Sequence, residues 1–263
     1  MKNNFSITAL ALSLAMGGSV VQAGISADVN SGHLAPFADT VAGTEVSIEV
    51  NGNEAFNSVF YKEFTGYTTI PGGGSTPFDI DVDVFAPPGA ETPAIPGTLT
   101  LDAAFEYTVV AIGDGTNQPL EFLALTDFEP PAFRGETQAS LRIVHAAPFA
   151  SDLADTEVDI RLDDGTVVNG LTNVAYKGES GFFALEPGTY DLQVTTPGGD
   201  TALIDLEPVT LNAGDEVTVF AVGDLVNQPV GAVAFFEDGT VAELPLERGN
   251  EGQIGRASCR ERV

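Results

Sequence analysis

Leu141-Arg-Ile-Val-His145-Ala-Ala-Pro148-Phe149-Ala150, followed by Thr156-Glu-Val158-Asp-Ile160-Arg-Leu162, reads as a strand, a Pro-bearing loop and a second strand. The chain writes this passage twice. A shift of 112 lays His33-Leu-Ala-Pro36-Phe37-Ala38 on His145–Ala150, and residues 33–52 match 145–164 at 10 of 20 positions. A shift of 110 lays Thr100-Leu101 through Gly113-Asp114 and Asn117-Gln118-Pro119 on Thr210-Leu211 through Gly223-Asp224 and Asn227-Gln228-Pro229. That stretch gives 12 identities in 20. A period near 110 is a duplicated domain, longer than the roughly 20–50 residues of a solenoid unit.

Within each copy the apolar residues recur every second position. Val158, Ile160 and Leu162 alternate with Glu157, Asp159 and Arg161; Tyr190, Leu192 and Val194 alternate with Asp191 and Gln193. Val46, Ile48 and Val50 alternate with Ser47 and Glu49. Phe78, Ile80, Val82 and Val84 alternate with Asp79, Asp81 and Asp83. Period two with one solvated face is the signature of antiparallel sheet. Pro71-Gly-Gly-Gly74, Pro87-Pro-Gly89, Pro187-Gly188 and Pro197-Gly-Gly199 supply turns between the runs. Outside the N-terminus no window carries helical spacing over a dozen residues. Short strands with frequent turns predict an all-β chain of two tandem antiparallel β-sandwiches. Their expected spans are 24–128 and 139–246, each long enough for its own core. Between them 129–138, with Pro130-Pro131, reads as a short, partly stiff linker.

Both ends read differently from this body. Residues 1–23 open on Lys2, run apolar from Phe5 to Met16 and close on Val-Gln-Ala23, the pattern of a cleaved secretory signal. No Cys follows the apolar run and no Arg-Arg pair precedes it, so lipoprotein and twin-arginine export are disfavoured. The expected location is secreted, periplasmic or cell-surface. Residues 252–263 end Gly255-Arg-Ala-Ser-Cys259-Arg-Glu-Arg-Val263, with three of the ten basic residues and the only Cys. This segment is expected to be a non-native, adapter-derived tail. Without it the chain holds no Cys, and a disulfide framework is excluded.

Between Gly24 and Glu251 stand six basic residues against 37 acidic ones (38 less Glu261), a net charge near −31. Such a field repels nucleic acid and anionic membrane surfaces, and it suits an exported protein in saline surroundings, where salt screens self-repulsion. Disorder is excluded by 43% hydrophobic residues and 17 Phe.

Leu141–Pro148, Val158–Leu162, Leu185-Glu-Pro-Gly188-Thr-Tyr190 and Val217-Thr-Val-Phe-Ala-Val-Gly223-Asp224 together resemble an exported family known as domain of unknown function 4397. The first repeat resembles it less closely: Asn30-Ser-Gly-His33 lacks the apolar lead-in, and Pro71–Pro77 expands a turn. The resemblance covers about 210 residues. It implies an immunoglobulin- or transthyretin-like sandwich on the cell surface, and it implies no reaction.

Candidate chemical groups are few. His33 and His145 occupy equivalent places and are the only histidines. One His per repeat, with no Cys beside it, makes a poor transition-metal site, and an imidazole tying down its own loop is the expected role. Asp79, Asp81 and Asp83 lie on one strand face at about 6.5–7 Å spacing. Calcium needs six to eight oxygens, more than a flat ladder supplies, so a solvated face is expected there. Asp152, Asp155, Asp163 and Asp164 read as turn residues, and Asn117-Gln118-Pro119 with its copy likewise. Gly178-Glu-Ser180-Gly181 lacks the spacing of a nucleophile elbow. Gly72–Gly74 opens no helix and so no phosphate site. The sequence thus predicts no catalytic, cofactor or metal residue. The expected protein is a non-catalytic envelope or extracellular module that is structural or binds a protein or glycan. The alternative is a pair of accessory modules of a truncated secreted hydrolase.

Overall fold

The computed structural model describes residues 25–74, 76–127 and 137–247; the expected signal segment, the tail and residues 129–136 of the linker lie outside them. Among the described residues all regular structure is strand, apart from two single-turn 3-10 segments, Val41–Thr44 and Leu153–Thr156. The chain is all-β, in agreement with the period-two pattern.

Repeat 1 contains β1 (Ser26–His33), β2 (Val46–Val50), β3 (Asn53–Val59), β4 (Glu63–Pro71), β5 (Phe78–Phe85), β6 (Ile95–Leu101), β7 (Glu106–Ile112) and β8 (Glu121–Thr126). They form two four-stranded sheets, β4-β1-β7-β8 and β3-β2-β5-β6. The inward residues of both sheets, among them Val29, Ile48, Ile80, Val82 and Val109, meet in one core cluster. This is a sandwich. Along β5 the alternation is exact in burial, with Phe78, Ile80, Val82 and Val84 inside and Asp79 and Asp81 exposed.

Repeat 2 contains β9 (Ala139–His145), β10 (Asp159–Leu162), β11 (Phe183–Leu185), β12 (Gly188–Tyr190), β13 (Leu192–Thr195), β14 (Ala202–Asp205), β15 (Val209–Leu211), β16 (Glu216–Val222), β17 (Gly231–Phe236) and β18 (Val241–Leu244). Its sheets run β11-β9-β16-β17-β18, β10-β13-β14 and β12-β15. Leu141, Ile160, Val194 and Val219 belong to its core. The long β5 of repeat 1 is broken here into β12 and β13 at Asp191.

Two features depart from the expected pattern. One pair in each repeat is parallel: β1 beside β7, and β9 beside β16. The first strand of each repeat thus inserts next to a late one, and period two cannot distinguish that arrangement from antiparallel pairing. Asp159 was expected on a solvated face, yet it is 2% exposed. Its carboxylate accepts the Asn173 and Gly198 amides and the Arg161 guanidinium, so it staples two loops to β10 from inside.

A third apolar cluster belongs to neither sandwich alone. Leu34, Tyr61, Val110, Ile112 and Leu125 of repeat 1 pack on Val144, Tyr176, Phe220, Val233 and Phe235 of repeat 2. Sheet β4-β1-β7-β8 therefore lies face to face with sheet β11-β9-β16-β17-β18. The central strands of these two sheets are buried on both faces, which explains the unbroken apolar runs Val109–Ile112 and Val219–Val222.

Candidate functional site: the seam between the repeats

The residues duplicated most faithfully gather at this seam. Gly113 and Gly223 end β7 and β16 at φ +90° and +97°, and a Cβ at either would collide with the carbonyl of Pro119 or Pro229. Only glycine fits there. The next residue, Asp114, accepts the amides of Thr116, Asn117 and Gln118 at 3.0, 2.7 and 2.9 Å, and the Asn117 side chain at 2.9 Å. Asp224 does the same for Val226, Asn227 and Gln228 at 3.1, 2.8 and 2.8 Å. Gly-Asp-x-x-Asn is thus a turn organised by its own aspartate, and Asn117 also bonds the Pro148 carbonyl and the Ser151 hydroxyl of the other repeat.

The glutamine that follows reaches outward. Gln118 Nε2 donates to the Ala150 carbonyl at 2.8 Å, and Gln228 Nε2 donates to the Ala38 carbonyl at 2.8 Å. Each turn therefore clasps the Pro-Phe-Ala loop of the other repeat. Turn chemistry does not call for glutamine, and its recurrence was the sequence signal for this clasp. Tyr61 and Tyr176 are crossed in the same way. Burial pushes the Tyr61 hydroxyl up, with help from Asp224 and Glu243 across the seam. Burial does the same to Tyr176, with help from Glu121 and Asp114. Lys62 pairs with Glu243, and Lys177 with Glu121 at 3.0 Å.

Both histidines are buried at the root of these loops. His33 Nε2 donates to the Thr44 carbonyl and His145 Nε2 to the Thr156 carbonyl, each at 2.8 Å. In each ring Nδ1 faces the amide two residues on, Ala35 or Ala147, at 3.4 Å. These partners select the neutral Nε2–H tautomer, because a proton on Nδ1 would face another N–H. Burial lowers both imidazoles to about 4 against the opposing pull of the carbonyl bonds. Phe37 and Phe149 stack on the rings at 5.6 Å. Each ring so placed closes a loop between residues eleven apart in sequence and has no vacant nitrogen for a metal or a proton transfer.

The charged centre of the seam has no counterpart in the sequence reading. Arg142 and Asp127 form an ion pair with side chains 2% and 3% exposed. Arg142 also donates to the Thr218 hydroxyl and the Thr126 carbonyl, and its guanidinium lies 4.5 Å over the Phe182 ring. Asp127 further accepts from Tyr67 and Thr108 at 2.9 and 2.8 Å. Each guanidinium nitrogen and each carboxylate oxygen of the pair has at least one partner, which is the condition for burying charge.

The acidic residues divide into two settings. Asp79 and Asp81 accept from Thr100 and Thr98 across the sheet, spread along β5. In repeat 2 a tighter group forms where β5 is broken. Burial raises Asp191, with Asp163 and Asp205 adding to it, and Asp191, Asp205, Asp163 and Glu207 raise Glu247. Gln193 Nε2 donates to Asp163. Among the described residues no group of three or more His, Cys, Asp or Glu is arranged to hold a metal ion. No helix among them is long and apolar enough to cross a membrane.

The family described as Domain of unknown function (DUF4397) matches residues 27–154 and 139–243, two overlapping segments that begin in the first strand of each repeat. The chain belongs to this family. No curated protein matches it. Among solved structures, the Bacillus anthracis TIE protein is similar over 76% of this chain at 14% identity, with a TM-score of 0.21. The chain spans 34% of that protein, about a third of its length.

Proposed function

We propose that this member of the DUF4397 family is an exported, non-catalytic module of the cell envelope or extracellular space. Its two sandwiches act as one rigid unit, structural in itself or presenting its end loops to a protein or glycan. The observation that carries the reading is the fate of the duplicated polar residues. Histidines, glutamines and Gly-Asp turns are engaged with backbone groups of the chain itself, and the two imidazoles stay neutral far below physiological pH. A general base needs a ring nitrogen within reach of substrate and a pKa near working pH; these rings have neither.

The exposed loop ends support the reading of a partner surface. Val41, Leu225 and Val226 are 50%, 40% and 79% exposed, on loops that the Gln228–Ala38 bond ties together. Exposed apolar loop tips on a rigid scaffold suit recognition better than turnover. Export rests on the basic, then apolar, then small-residue order of 1–23.

The test joins location and inertness. Cells expressing the full chain are expected to place it in the periplasm or medium, cleaved after Ala23. The purified protein is expected to turn over ester, glycoside and peptide reporters no faster than its His33→Gln/His145→Gln form. An uncleaved cytoplasmic chain, or turnover that disappears with those substitutions, overturns the proposal.

A further inference from the structure

We infer that the seam face of repeat 2 is self-complementary: uncovered by repeat 1, it docks onto the same face of a second copy of this chain. The argument begins with the reciprocity of the seam. Gln118 clasps Ala150 while Gln228 clasps Ala38. Tyr61 feels Asp224 while Tyr176 feels Asp114. A contact from i to j, matched by one from the equivalent of j to the equivalent of i, is the mark of a two-fold interface. The repeats therefore face each other across a pseudo-two-fold axis, as two copies of one module would.

The symmetry fails at the charged centre, and the failure is informative. Arg142 stands three residues before His145; the residue three before His33 is Asn30. Asn30 is fully buried, and its amide nitrogen and oxygen find no hydrogen-bond partner among the described residues. On the acidic side, Asp127 follows β8 and its amide bonds the Glu106 carbonyl. Glu237 follows β17 and its amide bonds the Glu216 carbonyl in the same way. Glu237 is thus the counterpart of Asp127.

Pairing by module then follows from charge. Repeat 2 on repeat 2 sets Arg142 opposite Glu237 of the other copy, twice. It also sets Lys177 opposite Glu243 and Gln228 opposite Ala150. The apolar patch of Val144, Phe220, Val222 and Phe235 meets itself. Repeat 1 on repeat 1 would bring two Asp127 carboxylates against two Asn30 amides, with no cation to hold them. Burying charge without a counter-charge is strongly unfavourable. Only repeat 2 can replace its partner with its own likeness, because repeat 1 carries Asn30 where repeat 2 carries Arg142.

The test uses the full chain. Asp127→Arg sets two guanidinium groups against each other and opens the seam from the repeat 1 side. Leu125→Asp opens it by a second route, placing a carboxylate in the apolar patch. By analytical ultracentrifugation either variant is expected to sediment at about twice the monomer mass, as a closed two-fold pair. Adding Glu237→Arg to it is expected to return the monomer, because Arg142 then faces Arg on the second copy. Should one variant lose its β spectrum by circular dichroism, the other decides. A folded variant that stays monomeric, or a dimer that survives Glu237→Arg, overturns the inference.

Discussion

The two buried histidines make stability depend on pH in a window that can be calculated. Each is held near 4 in the folded chain against 6.5 in an open one. The folded value is depressed, so the unfolded chain takes up protons first. The contribution is complete above about 6.5 and is lost as pH falls toward 4. Between pH 7.5 and pH 5 the loss is RT times the logarithm of the unfolded ring's proton-binding factor, about 2 kcal/mol for each histidine and ~4 for both. Asp191, raised by burial and then by Asp163 and Asp205, and Glu247, raised by neighbouring carboxylates, act in the opposite sense and gain stability as pH falls. Comparison with His33→Gln/His145→Gln removes them, because that variant keeps every carboxylate. Its glutamines can still donate to the Thr44 and Thr156 carbonyls. Urea unfolding followed by far-UV circular dichroism, at fixed high salt, gives the two stabilities at both pH values; the chain has no Trp to report by fluorescence. The wild type is expected to lose about 4 kcal/mol more than the double variant over this interval. Equal losses would show that the rings are solvated in the folded state and that the burial argument fails.

Further outcomes follow from other contacts. Arg142→Met leaves Asp127 buried without its counter-charge and is expected to cost about 3–5 kcal/mol, whereas Arg142→Met with Asp127→Leu costs much less; chemical denaturation reads both. Gly223→Ala combines a positive φ with a collision against the Pro229 carbonyl, while Gly239, at φ +83°, has open space around it. Gly239→Ala is then expected to lose about 1–2 kcal/mol and Gly223→Ala distinctly more, and equal losses would remove the close approach as the reason for that glycine. With net charge near −31 between Gly24 and Glu251, the melting temperature is expected to climb as sodium chloride rises from tens of millimolar toward molar. A flat response would mean that the carboxylates are too far apart to repel.

Strand positions were legible because burial on a sheet face repeats every two residues, and the sequence carries that period openly along β5 and β10. The ends of β1 and β9 at the histidines, the turns at Pro-Gly and the strands on either side of Gly-Asp were legible for the same local reason. Three things were not. The parallel pairing of β1 with β7 leaves no mark on alternation. Asp159 reads as a surface residue until the Asn173 and Gly198 loops close over it. The break of β5 into β12 and β13, which gathers Asp163, Asp191 and Asp205, depends on how distant strands end.

The duplication itself was a property of the sequence, and so was the composition that sets the chain's charge. What the duplicated residues are for was decided in three dimensions. Gln118 and Gln228 look like turn residues until the opposite loop is beside them, and nothing along its own strand marks Arg142 as half of a buried ion pair. Period and propensity act over a few neighbours along the chain, whereas the seam is made of residues brought together from sequence separations as large as 190. Only folding both repeats against each other supplies Arg142 with Asp127, and removes from water the apolar faces that a single sandwich would leave bare.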